Sequence, residues 1–210
     1  MVIGLGRFGG AVSRTLERMG HEVLAVDIDP ALVQEFAGEL TKVVEADATD
    51  TTTLEQLGAK DFDAAVVGIG TNIEASVLIV LALSDLGLTN IWAKATNEKH
   101  ARILERTGAA HVVFPEQRMG ERVAHLINER LLDFIAFGDE FAIARLIAPE
   151  PRLGLPLVTS QCRKKYDVTV VGVKREGENF IHAVPDTIIF PGDELVVSGK
   201  IHDLEAFSAM

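Results

Sequence analysis

The chain has 210 residues, a net charge of −11 and 48% hydrophobic residues, enough for one large domain or two smaller ones with a real core. So acidic a chain, with no basic run longer than Arg163-Lys164-Lys165, argues against a nucleic-acid partner, which would need a cationic stripe. Cys162 is the only cysteine, which rules out disulfides and thiolate metal sites within one chain and suits a reducing cytosol, and the longest purely apolar run, Val77 to Leu83, is too short to span a bilayer.

Met1-Val2-Ile3 reads as the end of a buried strand, clipped enough that a few residues are expected to precede Met1. It runs into Gly4-Leu5-Gly6-Arg7-Phe8-Gly9, a G-x-G-x-x-G turn. Gly4 permits the tight turn, Gly6 lets a pyrophosphate approach the backbone, and Gly9 lets helix and sheet pack closely. Behind it Ala11, Val12, Thr15, Leu16 and Met19 recur at helical spacing, Gly20 stops the helix, and Glu22 to Asp27 reads as a second strand. Asp27 closes that strand 23 residues after Gly4, where an acid accepts hydrogen bonds from an adenosine ribose. The whole arrangement predicts nucleotide binding. Arg7 occupies an x position that points toward phosphates. A fixed cation there suits an outer phosphate, as in ATP, because backbone N–H groups already satisfy an inner pyrophosphate. The alternative is a surface arginine paired with an acid such as Glu17. Ile28 follows Asp27 with no arginine beside it, which disfavours a 2′-phosphate and hence NADP.

Asp29-Pro30 is an N-cap followed by proline at the first helical position, opening a helix to about Glu39. Thr41 to Ala46 is the third strand, with Asp47-Ala48-Thr49 at its carboxyl end. Asp47 is either a neighbour of the adenine or its ribose, or the N-cap of a short helix ending at Gly58. Ala64 to Gly70 is the fourth strand, and Gly68-Ile69-Gly70 places glycine where the backbone must come close to something. Thr71-Asn72-Ile73-Glu74 resembles a capping box. The helix behind it, to Leu86, is apolar on nearly all sides and is expected to be covered by the sheet and by another subunit. Asn90 to Thr96 is strand five, with Lys94 near its carboxyl end; a helix from Glu98 to Thr107 and a strand from His111 to Phe114 follow. Six alternating units predict an α/β fold, a doubly wound six-stranded parallel sheet of Rossmann type.

After Pro115-Glu116 a helix is expected from about Met119 to Ile135, with Val123, Leu126, Ile127 and Leu131 in one stripe and Leu132, Phe134 and Ile135 widening it. A surface that wide suggests a helix joining two domains or two subunits. From Gly138 the pattern changes: Phe141 to Ala148, Val168 to Arg175, Phe180 to Val184 and Glu194 to Ser198 read as strands. Helices are expected at Leu157 to Tyr166 and after Ile201, and Pro149, Pro151, Pro156, Pro185 and Pro191 punctuate this small α+β carboxyl-terminal lobe. The expected organisation is a nucleotide-binding lobe at 1–118, a crossover helix and linker at 119–138, and the small lobe at 139–210.

IGLGRFGGAV, EVLAVDIDP, ADAT, GIGTNIEAS, NIWAKA and FPE-x-x-MG, followed by FPGDELVVSG, appear in this order over essentially the whole chain. They resemble the RCK proteins (regulators of K⁺ conductance), of the KtrA/TrkA-like type that gates bacterial potassium uptake systems from the cytosol. The resemblance implies a cytoplasmic homo-oligomer, dimers assembling into an octameric ring, held at the inner face of the membrane by a KtrB/TrkH-like potassium-translocating subunit. ATP and ADP would hold the ring in different shapes; NAD(H) binds some members. On matching positions, Gly4, Gly6 and Gly9 would hold the phosphates and Asp27 the ribose, while Arg7 would reach a terminal phosphate, in its own or the neighbouring subunit. The pocket would be completed by Phe8, Ile28, Asp47, Ala48, Ile69, Gly70 and Lys94. Glu116 would contribute to an intersubunit site for Mg²⁺, Ca²⁺ or Na⁺. Some members bind cyclic di-AMP in the carboxyl lobe, a region matched here by Leu157, Val158, Arg163 and Pro185.

The competing expectation is an NAD-dependent oxidoreductase with a small second domain. It requires an acid or base beside a nicotinamide. The six histidines, at 21, 100, 111, 125, 182 and 202, are scattered without metal-ligand spacing, and no serine or cysteine sits in a nucleophile setting. A non-enzymatic switch is therefore the expectation.

Overall fold

A computed structural model describes residues 1–127, 131–138, 140–150 and 154–209. The chain divides into two compact units, Met1–Gln117 and Arg118–Met210.

In the first unit, six parallel strands form one sheet: β1 (Val2–Ile3), β2 (Leu24–Asp27), β3 (Lys42–Glu45), β4 (Ala65–Val67), β5 (Ile91–Lys94) and β6 (His111–Val113). Their order is β3-β2-β1-β4-β5-β6, so the chain reverses its winding between β1 and β4. One face of the sheet carries α1 (Arg7–Arg18) and α2 (Pro30–Phe36), over a core of Val2, Leu5, Val23, Ala25, Phe36 and Leu40. The other carries α3 (Thr51–Gln56), α4 (Ile73–Asp85) and α5 (Glu98–Thr107), over a larger core that includes Ile3, Val26, Leu54, Ile79, Leu83, Ile91 and Leu104. This is the doubly wound Rossmann-type sheet that the alternating pattern predicts.

Several local expectations change. The buried face of α1 is Gly9, Gly10 and Ser13, while Ala11, Thr15 and Met19 face solvent. Val12 and Leu16 pack half-buried on the core as expected, but at Gly9 and Gly10 the helix comes too close to its neighbours for a side chain: a Cβ on Gly10 would meet the Phe36 ring of α2 at 2.5 Å. Asp29 caps α2 as expected, accepting from the Ala31 N–H. Helix α3 is capped by Asp50, not by Asp47. Helix α4 is capped by Asn72, which accepts from the Ala75 N–H, so Thr71 and Glu74 do not form a capping box.

The expected 119–135 helix does not form as one element. Helix α6 (Pro115–Leu126) starts earlier and ends sooner, residues 128–130 lie outside the described residues, and Leu131–Phe137 is strand β7. The apolar run that widened the helical stripe is a strand with Leu131 and Phe134 buried and Leu132 and Ile135 exposed. Two faces of a strand, read at a helical period, look like an over-wide helix face.

In the second unit, β7 pairs with β8 (Phe141–Ile147) across a hairpin in which Gly138 takes φ +70°. With β9 (Thr169–Lys174), β10 (Ile181–His182) and β11 (Glu194–Lys200) they form an antiparallel sheet, order β10-β9-β11-β8-β7. Helix α9 (Ile201–Ser208) packs on β8 and β11, and Phe207 and Leu204 are fully buried. The single helix expected from Leu157 to Tyr166 is two short ones, α7 (Leu157–Ser160) and α8 (Cys162–Tyr166), broken at Gln161 in the left-handed region, φ 52°. Pro151 lies outside the described residues.

Candidate functional site

The reversal between β1 and β4 opens a cleft of about 700 Å³ at the carboxyl ends of the strands, where ligands sit in open α/β sheets. Its walls are Gly4, Gly6, Arg7 and Phe8 after β1, Asp27 and Ile28 after β2, and Asp47 and Ala48 after β3. Ile69 and Gly70 follow β4, Lys94 ends β5, and Glu116 stands in the first turn of α6. Every sequence-predicted residue of the first lobe except Gly9 thus lines one cavity. Gly9 is packed behind it.

The three glycines of the turn have separable tasks. Gly4 takes φ +91°, a conformation other residues rarely adopt, and donates its N–H to the Val26 carbonyl at 2.8 Å. A Cβ on Gly9 would stand 1.8 Å from the Gly4 carbonyl oxygen, so only glycine permits this contact between helix and turn. A Cβ on Gly6 would meet nothing within 4 Å. Gly6 is the N-cap of α1; no side chain caps that end and no acid stands in its first turn. The first N–H groups of a 12-residue helix, at the positive end of its dipole, therefore face the cleft. Such an end suits an anion.

Asp27 already works structurally. One carboxylate oxygen accepts the Leu5 N–H at 2.5 Å and the other the Asp29 N–H at 2.9 Å, which ties the glycine turn to the start of α2. Each oxygen keeps a lone pair for a ligand hydroxyl. Asp47 accepts from the N–H and hydroxyl of Thr49, and these bonds hold its carboxyl below the usual carboxylate range. Ala48 is buried, while Ile28 is 67% exposed at the rim.

The other side of the reversal is cationic. The Lys94 ammonium donates to the Glu116 carboxylate at 2.5 Å, and this bond, with Arg7 contributing at longer range, holds the Glu116 carboxyl below its ordinary value. The Lys94 side chain is only 14% exposed because its stem lies over Gly70; a Cβ there would meet Lys94 Cε at 3.0 Å and Nζ at 3.3 Å. The approach that Gly70 permits is thus that of Lys94. Arg7 has no ion-pair partner among the described residues, and Glu17, its expected alternative partner, instead accepts from the N–H and hydroxyl of Thr41. Reading the sequence did not place Thr71, Asn72 and Glu74 in the cleft, which they also line. Gly68 also lines the cleft and makes the close backbone approach expected of it: a Cβ there would stand 3.0 Å from the Gly4 carbonyl oxygen.

A second cavity, of about 480 Å³, lies in the carboxyl lobe. Leu157, Val158, Arg163 and Pro185 all line it. The Val158 N–H donates to the Pro185 carbonyl and Arg163 Nε to the Thr169 hydroxyl at 3.1 Å. No group of three metal-ligating side chains occurs among the described residues, and no helix is long and apolar enough to cross a membrane among them.

Residues 1–115 match the TrkA-N domain and residues 141–210 the TrkA-C domain. The Ktr system potassium uptake protein A of Bacillus subtilis (strain 168) is 40% identical over 98% of this chain and 93% of its own length. Its namesake in Vibrio alginolyticus is 37% identical over 94% and 90%. Among solved structures, the GsuK channel bound to NAD aligns with a TM-score of 0.64 at 20% identity, covering 98% of this chain and 38% of that one. That likeness concerns the fold.

Proposed function

We propose that this chain, which belongs to the RCK family of TrkA-N/TrkA-C proteins, is a nucleotide-sensing regulatory subunit of a potassium uptake system. The observation that carries the reading is the cleft itself. It combines a bare helix N-terminus, an aspartate at the end of β2 and two cations, Arg7 and Lys94, in one cavity. The relatives named above are Ktr potassium uptake proteins, matched over nearly their full length. In this reading the chain assembles with copies of itself into a ring, dimers forming an octamer, at the cytoplasmic face of a potassium-translocating membrane subunit.

In this reading Asp27 accepts the ribose hydroxyls, the Gly4–Gly9 turn holds the inner phosphates, and Arg7 and Lys94 meet an outer phosphate. ATP and ADP differ by that outer phosphate, so they are the favoured pair. A ligand shifts an equilibrium only by its differential affinity for the two states, and charge-assisted contacts to one more phosphate supply such a difference. NAD(H) is the second reading, since the open backbone above Gly6 suits an inner pyrophosphate; the absence of an arginine beside Ile28 argues only against NADP. A dehydrogenase has less support: among the described residues no histidine, cysteine or tyrosine lines the cleft, and Lys94, its one lysine, is paired with Glu116.

Glu116 offers one carboxylate, and it is paired with Lys94. A cation such as Mg²⁺, Ca²⁺ or Na⁺ would therefore need phosphate oxygens and a second copy of the chain to complete its ligands. The carboxyl-lobe cavity, with the Arg163 guanidinium and apolar walls, suits a cyclic dinucleotide such as cyclic di-AMP.

The test is calorimetry of purified protein with ATP, ADP, NADH, NAD⁺ and cyclic di-AMP, with the mass of the assembly measured in each state. Submicromolar ATP or ADP binding with a ligand-dependent change in assembly supports the switch. Binding of NAD(H) alone, with turnover of a hydride donor, overturns it.

A further inference from the structure

Lys94 and Glu116 form an ion pair of unequal members. The lysine is fixed, its side chain 14% exposed and its stem pressed over Gly70. The glutamate is 62% exposed, and it stands in the first turn of α6, on the far side of the β4–β5–β6 half of the sheet from Asp27. Both line the same cleft as the open helix end and Arg7. A carboxylate held against a cation at the mouth of an anion site occupies the place where a phosphate oxygen would bind. Both are hydrogen-bond acceptors with negative charge, and they compete for the charge of one ammonium.

We propose that the Lys94–Glu116 pair is a displaceable latch: a phosphate entering the cleft takes Lys94 from Glu116 and frees the first turn of α6. The proposal rests on the nucleotide reading of the cleft and adds how occupancy is reported. The lysine stays and the glutamate leaves, because the lysine is packed and the glutamate is solvated. The freed carboxylate then faces solvent, available to a cation or to another chain. Since α6 runs through the boundary between the two units at Gln117 and Arg118, its first turn is the segment through which the chain leaves the nucleotide lobe.

The latch makes Glu116 a competitor of the ligand, which reverses the usual expectation that removing a pocket residue weakens binding. ATP and adenosine affinities are measured by calorimetry in EDTA for the wild type, Glu116→Gln, Lys94→Gln and the double variant. Glu116→Gln is expected to bind ATP roughly two- to fivefold more tightly, the range of an exposed ion pair, with adenosine unchanged. That gain should vanish when Lys94 is already glutamine. Simple repulsion between Glu116 and phosphate would also tighten Glu116→Gln, but it would persist in the Lys94→Gln background, and that result overturns the latch. Unchanged or weaker ATP binding by Glu116→Gln overturns it as well. If wild-type protein binds neither adenosine nor ATP, it is the nucleotide reading that falls, and the latch falls with it.

Discussion

The glycine turn makes opposite predictions for two residues three positions apart. Gly9→Ala places a methyl group 1.8 Å from the Gly4 carbonyl oxygen, and 3.0 Å is about the closest a Cβ tolerates, so α1 and the turn must separate by more than 1 Å. Both sides of that contact are backbone, which cannot rotate away. Overpacking of this kind costs about 1–3 kcal/mol and more where nothing yields, so a loss near the upper end is expected. For a lobe of this size that lowers the melting temperature by roughly 10 °C. Gly6→Ala adds a methyl with nothing within 4 Å, at φ −60°, which alanine adopts freely. Its weaker N-cap propensity and its reduced unfolded-state freedom nearly cancel, leaving stability within about 1 kcal/mol of wild type. The same methyl projects toward the place proposed for the phosphates, so ATP affinity should fall at least about tenfold, the equivalent of one lost charge-assisted contact. Calorimetric melting and ATP titration of both variants separate the two effects. A Gly9→Ala protein that melts with wild type would refute the close approach. A stable Gly6→Ala protein with wild-type ATP affinity would remove the phosphates from this turn.

Other expectations follow from neighbouring contacts. Asp27→Ala removes the acceptor of the Leu5 and Asp29 N–H groups and of the proposed ribose hydroxyls, so every adenosine ligand should weaken, by about 1.5–3 kcal/mol per charged bond; calorimetry with adenosine checks it, and equal affinity excludes the role. Arg7→Ala should weaken ATP more than ADP in the same assay, and equal losses would place Arg7 on an inner phosphate. The Lys94 bond lowers the Glu116 carboxyl, so its small stabilisation is fully present above the unfolded-state value and is lost as pH falls through the lowered one. Carboxyl NMR should show Glu116 titrating higher in Lys94→Gln, and an unmoved titration would mean the pair does not persist in solution. Phe207→Ala in the carboxyl lobe deletes a fully buried ring packed edge-on to Tyr166 and should cost about 3–5 kcal/mol, read by denaturant melting of that lobe.

The nucleotide lobe was largely legible because each of its signals is local. The glycine spacing, Asp27 at a strand end and Asp29 before Pro30 act within a few residues of where they stand. The failures came where tertiary distance decides. Ala11 and Met19 have the right spacing for a buried face, yet the turn at Gly4 and the Phe36 ring of α2 press on Gly9 and Gly10, so the fully buried face is Gly9, Gly10 and Ser13, with Val12 and Leu16 half-buried beside it. Asp47 and Asp50 are both able to cap α3, and the choice depends on which reaches the Thr52 N–H. Leu131 to Phe137 lacks a turn signal strong enough to mark its separation from α6, and its partner strand β8 lies on the far side of a hairpin. Within the site, the four carboxyl-lobe residues carried over from the resemblance line one cavity. The Lys94–Glu116 bond, between residues 22 apart, had no sequence signature at all.

Asp27 holds the glycine turn and the start of α2 together before any ligand arrives. That half of the cleft is therefore preorganised, and a nucleotide docking there spends little of its interaction energy on ordering the chain. Association through the ribose and inner phosphates should accordingly be fast and nearly the same for every adenine nucleotide. Discrimination among them is left to the half of the cleft that can rearrange, and it should appear in how long each ligand stays rather than in how quickly it arrives.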